Sequence, residues 1–362
     1  MPWSVLSSHE QNVERFRHSV QHNRLASTYL FVGLPGIGKR LFAQLLAEAL
    51  LCEQPPGILA ACGACSACCQ VQAQTHPDLI VIAKPADKAF IPVEMFIGDQ
   101  DHRRQQGLVH DIGLKPFRGR RKVAIVDDAD CLNQEGANSL LKTLEEPPPN
   151  SLLILIGTSQ QQQLPTIVSR SQLIRFEPLS PEQVKAILAN QAQLETEIPF
   201  EILAAAAEGS VARALQLADS EIFEFRNELL KQLASGDPGH NDFAKSVLGF
   251  VDAAGKEGAL KRDRLVLIAD FAISFFRCCY REVSELNVTA NPDSNLAEAV
   301  QIAQRNWTSM ATNMVAEICC QAIDRCLDLQ TQVHANVSPA NGVEAWLIEL
   351  GQICRGKTRL LV

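Results

Sequence analysis

A chain of 362 residues exceeds the size at which one hydrophobic core keeps growing, so two or three domains are expected. Hydrophobic residues at 46% and charged residues at 20% set it among globular proteins and exclude a disordered or fibrous one. A formal net charge of -8 argues against general affinity for nucleic acid, which an excess of Lys and Arg carries; any DNA contact must be local or shared with partners.

The amino terminus has no basic start, apolar core or small-residue cleavage site, so the expected compartment is the cytoplasm. From Thr28 to about Phe176, short apolar runs alternate with helical patterns, the signature of a parallel sheet covered by helices. The predicted strands are Tyr29 to Val32, Leu79 to Ile82, Val123 to Val126, Leu152 to Ile156 and Leu173 to Phe176. Between the first strand and a helix over residues 40–51 stands Gly33-Leu-Pro-Gly-Ile-Gly-Lys39-Arg40. Its glycines, Gly33, Gly36 and Gly38, let the backbone wrap a phosphate, and Lys39 adds a positive charge. A Gly-rich structural turn is the plainer reading, and the strand-to-helix context disfavours it. The last position departs from the P-loop pattern: a Ser or Thr hydroxyl normally binds magnesium there, and Arg40 has no lone pair to offer and a charge that repels a cation. Phosphate binding can survive such a change while magnesium-dependent hydrolysis is impaired.

After that helix, Cys52, Cys62, Cys65 and Cys68 form C-x9-C-x2-C-x2-C. Four soft sulfur ligands with no open position suit structural zinc. The rivals are a redox dithiol at Cys62 and Cys65 and an iron–sulfur cluster; Cys69 and His76 could substitute as ligands, but a spare thiol and a loop residue are the favoured readings. The basic run Lys115 to Lys122 reads more simply as a charged surface turn than as a contact for a phosphate backbone. Asp127 ends the third strand where a Walker B carboxylate would hold a metal, and Asp128 follows where a water-activating Glu is usual. Alone, the run Val123 to Asp130 would be a strand and an acidic turn. The shorter Asp128 side chain leaves a base short of its water, since positioning tolerates errors on the order of 1 Å. Three prolines after Glu146 end the next helix, Gln160 to Gln163 is a polar loop, and Ser169-Arg170-Ser171 reads as a solvated turn.

Beyond Pro178 helical patterns dominate, with turns expected at Glu208-Gly-Ser, Ser235-Gly-Asp-Pro-Gly and Asn291-Pro-Asp. Leu265 to Phe276 is too short for a bilayer, which takes about 20 apolar residues, and is expected to be a buried helix. The cysteines at 278, 279, 319, 320 and 326 are expected in the core.

The P-loop, the cysteine insertion, Thr75-His-Pro-Asp78, Lys122 to Asp127, Asn138-Ser-Leu-Leu-Lys-Thr-Leu-Glu-Glu-Pro-Pro148 and Ser169-Arg170 together resemble the delta-prime subunits of bacterial clamp loaders, in the AAA+ family. Motifs match over about residues 10–220 and more weakly to the end. The resemblance implies an α/β RecA-like AAA+ domain at 1–178 with a zinc module at 52–69, an all-α lid at 179–222 and an all-α collar at 223–362. It implies a heteropentameric ring with motor (gamma/tau) and delta subunits, which loads a sliding clamp on primed DNA with ATP, and no membrane partner. Arg170 would supply an arginine finger in trans, although Ser171 stands where the family has Cys. Gly33, Gly36, Gly38, Lys39, Arg40, Asp127, Asp128 and Thr158 would face any nucleotide, with ATP held weakly. Arg213 sits one residue later than the sensor arginine of the motor subunits. An ATP-hydrolysing motor subunit is the alternative; a zinc-dependent nucleic-acid module fits the acidic balance poorly.

Overall fold

The computed structural model describes residues 3–6, 8–85, 88, 90–102, 105–118, 121–191, 194–239, 241–255, 257–284, 292–334 and 339–356. Gly119 and Arg120 of the basic run and Asn291 of the expected turn lie outside the described residues. The chain divides into two compact units, one of residues 1–184 with 208–213, the other of residues 185–207 with 214–362.

In the first unit, five strands form one sheet: β1 (Thr28–Val32), β2 (Leu79–Ile82), β3 (Lys122–Val126), β4 (Ser151–Gly157) and β5 (Gln172–Arg175). All pairings are parallel, and the order is β2-β3-β4-β1-β5. Every residue of β1, β3 and β4 is buried, which is why these strands read as unbroken apolar runs: helices cover both faces. The edge strand β5 is exposed except at Ile174 and the half-buried Leu173. On one face pack α1 (Glu10–Gln21), α2 (Lys39–Leu51) and α3 (Ser66–Gln72), around Phe16, Phe31, Phe42 and Phe176. The opposite face takes α4 (Glu94–Ile97), α5 (Leu108–Gly113), α6 (Gln134–Glu145) and α7 (Pro165–Val168), around Phe96, Leu108, Ile112 and Leu140.

Local chemistry sets the helix ends. The Asn133 side chain caps α6 by accepting from Gly136 N–H at 2.8 Å, and the prolines at 147–149 follow its end at Glu145. The basic run is more anchored than a solvated turn. The buried Asp78 carboxylate accepts from the N–H groups of Phe117 at 2.7 Å and Arg118 at 3.1 Å, Lys122 is buried 3.5 Å from it, and Arg118 pairs with Glu53. Two neighbouring N–H donors on one carboxylate hold the loop before β3 in register. Phe117 is left 79% exposed, the cost of fixing the backbone rather than the side chain.

The second unit is helical, including α8 (Pro181–Ala189) and α10 (Val211–Leu217), both shared with the first unit, α9 (Phe200–Ala206), α11 (Ser220–Ala234), α12 (Asn241–Ala253), α13 (Gly258–Val283), α14 (Ser294–Asn306), α15 (Thr312–His334) and α16 (Pro339–Cys354). The apolar stretch Leu265 to Phe276 is the middle of α13, with Leu265, Ile268, Phe271, Phe275 and Phe276 buried. No helix among the described residues is long and apolar enough to cross a membrane. Cys279, Cys319 and Cys326 are core residues as expected, and Cys278 is half-buried. Cys320 is exposed instead, because one residue on a helix turns the side chain about 100° away from its buried neighbour Cys319.

A buried ion pair ties α11 to the start of α14: Arg226, 1% exposed, meets Asp293, 3% exposed, and Asp293 also caps α14 by accepting from Asn295 and Leu296 N–H. Removing one partner of such a pair strands the other charge, so Arg226→Ala is expected to cost about 3–5 kcal/mol. Denaturant unfolding followed by helical circular dichroism checks this; a loss under about 1 kcal/mol would make the pair an ordinary surface contact.

Candidate functional site

The P-loop leaves the end of β1, which has β4 on one side and β5 on the other; a crevice opens at such a switch in strand order. Gly36 is in the left-handed region at φ 72°, and a Cβ there would stand 2.4 Å from the Ala212 Cβ. Only glycine fits, because the 208–213 segment lies against the loop. That segment accounts for two loop carbonyls: Ser210 Oγ donates to Pro35 O at 2.7 Å and Val211 N–H to Gly36 O at 3.1 Å. The His9 ring Nε2 lies 2.7 Å from Ile37 O. Lys39, 6% exposed, donates from Nζ to Gly33 O and Leu34 O, each at 2.6 Å. Burial pulls its ammonium down to about 8, against the Asp130, Asp127 and Asp128 carboxylates, which favour the charged form.

Arg40 opens α2 beside Lys39, and its Nη1 lies 3.4 Å from Asp127 Oδ2. The other oxygen, Asp127 Oδ1, accepts from Asp128 N–H at 3.1 Å. Burial, then the charge of Asp128, raise the Asp127 carboxyl above its ordinary value, and Arg40 opposes them. Asp128 is exposed and left-handed at φ 55°. Magnesium needs oxygen ligands at about 2.1 Å; an arginine in place of the hydroxyl, paired with the carboxylate, does not fit it.

Asp130, which the sequence offered only as part of an acidic turn, holds the neighbouring strand end. Its carboxylate accepts from Thr158 N–H at 2.6 Å and from the Gln163 side chain, and Gln163 is buried, unlike the polar loop expected at 160–163. Thr158 O accepts from Gly33 N–H at 3.1 Å, so the end of β4 is fastened to the start of the loop, while the Thr158 hydroxyl turns to Gln162. Arg213 is engaged with Glu208 at 3.3 Å.

Arg170 is at the other end of the sheet. Tyr29 pairs with Gln172 and Val32 with Arg175, so Arg170 precedes β5 at the edge where β1 begins, and the P-loop follows the edge where β1 ends. The four paired residues separate the two by about 13 Å of strand, out of reach of a phosphate on the same loop. The Arg170 guanidinium donates to Glu145 Oε1 at 2.8 Å and to Thr166 O and Ser169 Oγ, each at 3.2 Å.

Cys52, Cys62, Cys65 and Cys68 bring four sulfurs within 4.8 Å of one another. Cys52 and Cys65 sulfurs lie 4.0 Å apart, Cys62 and Cys68 sulfurs 3.9 Å. Thiolates around one zinc at ~2.3 Å stand ~3.8 Å apart, so the set fits a single tetrahedral ion. Inorganic sulfide and several irons would need wider spacing. Backbone N–H groups of residues 62, 65 and 68 point at the sulfurs of Cys52, Cys62 and Cys65 at 3.3, 3.3 and 3.5 Å, which favours thiolates. Burial works against ionising Cys65, but N–H groups of Cys68 and Glu53 and the neighbouring thiols bring it to about 6. Cys69 is exposed and outside the set. His76 is buried and also outside the set; its Nδ1 accepts from Asp78 N–H at 3.0 Å.

A five-stranded parallel sheet with a P-loop after its β1 and this strand order is the RecA-like α/β fold that AAA+ proteins have. The family model described as "DNA polymerase III, delta subunit" matches residues 8–180. DNA polymerase III subunit tau of Escherichia coli (strain K12) is 35% identical over 59% of this chain and 32% of its own length. Subunit delta' of the same organism is 30% identical over 62% of this chain and 64% of its own, and delta' of Pseudomonas aeruginosa is 38% identical over 40% and 41%. Over these stretches the chain is similar to the delta, delta' and tau subunits of DNA polymerase III. It spans about a third of the tau relative's length and under two thirds of the delta' relatives'.

The cysteine geometry leads to one zinc per chain, read by metal analysis of protein purified without added metal; a brown protein with visible absorbance would point to iron and sulfide instead. Cys65→Ser should release the metal and loosen residues 52–72 to proteolysis while the sheet, which lies outside the module, stays folded.

Proposed function

We propose that this chain is a delta-prime-type clamp-loader subunit, a member of a ring that does not hydrolyse ATP on its own loop and acts on a neighbour's ATP through Arg170. The observation that carries the reading is the ion pair of Arg40 with Asp127 at the position of the catalytic metal. Asp128 is a second support, because its side chain is one methylene shorter than the Glu usual at the water-activating position. The position of Arg170 is a third: it sits on the edge of the sheet away from its own P-loop. There its present partner, Glu145, belongs to the Leu-Glu-Glu-Pro-Pro stretch that the family shares.

Within this reading the residues up to about 178 form the RecA-like domain, 179–222 the lid, and 223–362 the collar that joins motor and delta subunits in a heteropentamer. The ring would act on a sliding clamp and primed DNA in the cytoplasm, with zinc as the structural ion of the cysteine module. The 35% identity to a tau subunit favours a second reading, a motor that hydrolyses ATP. Arg40 weighs against it, since a motor needs the metal that an arginine displaces.

Turnover separates the two readings. The isolated chain should show no magnesium-dependent ATP hydrolysis above background, and robust turnover by the chain alone would favour the motor. In a ring reconstituted with motor and delta subunits, Arg170→Ala should leave assembly intact and lower DNA-stimulated ATPase, because fingers of this kind are worth about 10³–10⁵ in rate at the site they serve. The loss should be partial, confined to the one motor site facing this subunit. Unchanged ATPase and clamp loading would return Arg170 to the role of a solvated turn residue.

A further inference from the structure

The loop's hydrogen bonds are divided unevenly. The carbonyls of Gly33, Leu34, Pro35, Gly36 and Ile37 are all engaged, by Lys39, Ser210, Val211 and His9. The backbone N–H groups of Gly36, Gly38, Lys39 and Arg40 donate to no acceptor among the described residues. Unpaired donors beside a buried ammonium form a cradle for a ligand with several anionic oxygens, and Gly36 and Arg40 are exposed and Gly38 half-buried, so the cradle is open to an incoming phosphate. The protein around the loop therefore suits a phosphate chain.

It does not suit the ion that usually accompanies one. Both Asp127 oxygens are in use, Oδ2 with Arg40 and Oδ1 with Asp128 N–H, and residue 40 brings a fixed positive charge where a hydroxyl would bring a lone pair. A guanidinium also offers paired N–H donors to phosphate oxygens, so it can supply the charge and the hydrogen bonds together. We infer that the P-loop takes its polyphosphate without a metal, Arg40 serving as the built-in counter-cation in place of magnesium. This rests on the reading of the chain as a non-hydrolysing clamp-loader subunit. Magnesium would then weaken binding, because a divalent cation on the phosphates occupies oxygens that Arg40 would otherwise bond and stands as a like charge beside the guanidinium.

Isothermal titration of the full chain with ATP, in EDTA and in excess magnesium, tests the inference. Binding should be at least about tenfold tighter in EDTA, given the size of close charge interactions near a protein surface. Arg40→Thr should reverse the preference, and Arg40→Lys, which keeps the charge, should retain it even if the threonine variant folds poorly. Binding that requires magnesium, equal affinity in both conditions, or no binding in EDTA would overturn the inference. Inorganic tripolyphosphate serves as a second probe: affinity equal to that of ATP assigns recognition to the phosphates, weaker affinity shows that the nucleoside contributes, and both sustain a metal-free site. Co-elution with motor and delta subunits keeps the two readings apart. A chain that assembles yet fails to bind in EDTA sinks only the metal-free site, and a chain that binds in EDTA yet never assembles sinks only the clamp-loader role.

Discussion

One substitution governs the chemistry open to this chain: an arginine at the start of α2, paired across to the carboxylate that ends β3. Its contribution to stability is small, at most about 1 kcal/mol for a pair whose arginine is half-exposed. What matters is what it excludes. At this point a loop hydroxyl and the strand-end carboxylate usually hold a divalent ion together with phosphate oxygens, and here the hydroxyl is replaced by a guanidinium that pairs with the carboxylate. The remainder of the loop, with its glycines, its buried lysine and its unpaired donors, is left able to meet phosphate. On the proposed reading, this side chain lets recognition persist where turnover is lost.

The polarity of the sheet makes the second separation. In a parallel sheet every strand begins on one edge and ends on the other, so a loop after β1 and a residue before β5 are at opposite ends. The P-loop and Arg170 are neighbours in strand order and remote in space. A positive charge that cannot reach its own loop is available to a nucleotide held elsewhere, which is the geometric content of the proposed action on a neighbour. The ion pair with Glu145 and the bonds to Thr166 O and Ser169 Oγ hold the guanidinium in place meanwhile.

Much of this was legible in the sequence, and for identifiable reasons. The strands β1, β3 and β4 are buried on both faces and appear as unbroken apolar runs, so their place and parallel character could be read directly. The P-loop and the four cysteines are local motifs whose spacing carries their geometry. The partners that come from far along the chain were not readable. Asp130 looked like a turn residue and proves to clamp Thr158 and Gln163, and Ser210 and His9 reach the loop from distant segments. Lys122, counted with a surface charge run, is buried because Asp78 is buried beside it. Such contacts depend on tertiary closure, which no short window records. The exposed Cys320 is a smaller case: apolar composition located the helix but not which side of it faces inward.

The account turns on Arg170 serving a nucleotide that this chain does not hold. The most direct measurement is a structure of the assembled ring with a non-hydrolysable ATP analogue on the motor subunits. Arg170 should be found released from Glu145, with its guanidinium within hydrogen-bond distance of the terminal phosphate on the adjoining subunit. An Arg170 still paired with Glu145, with no neighbouring nucleotide in reach, would contradict the account.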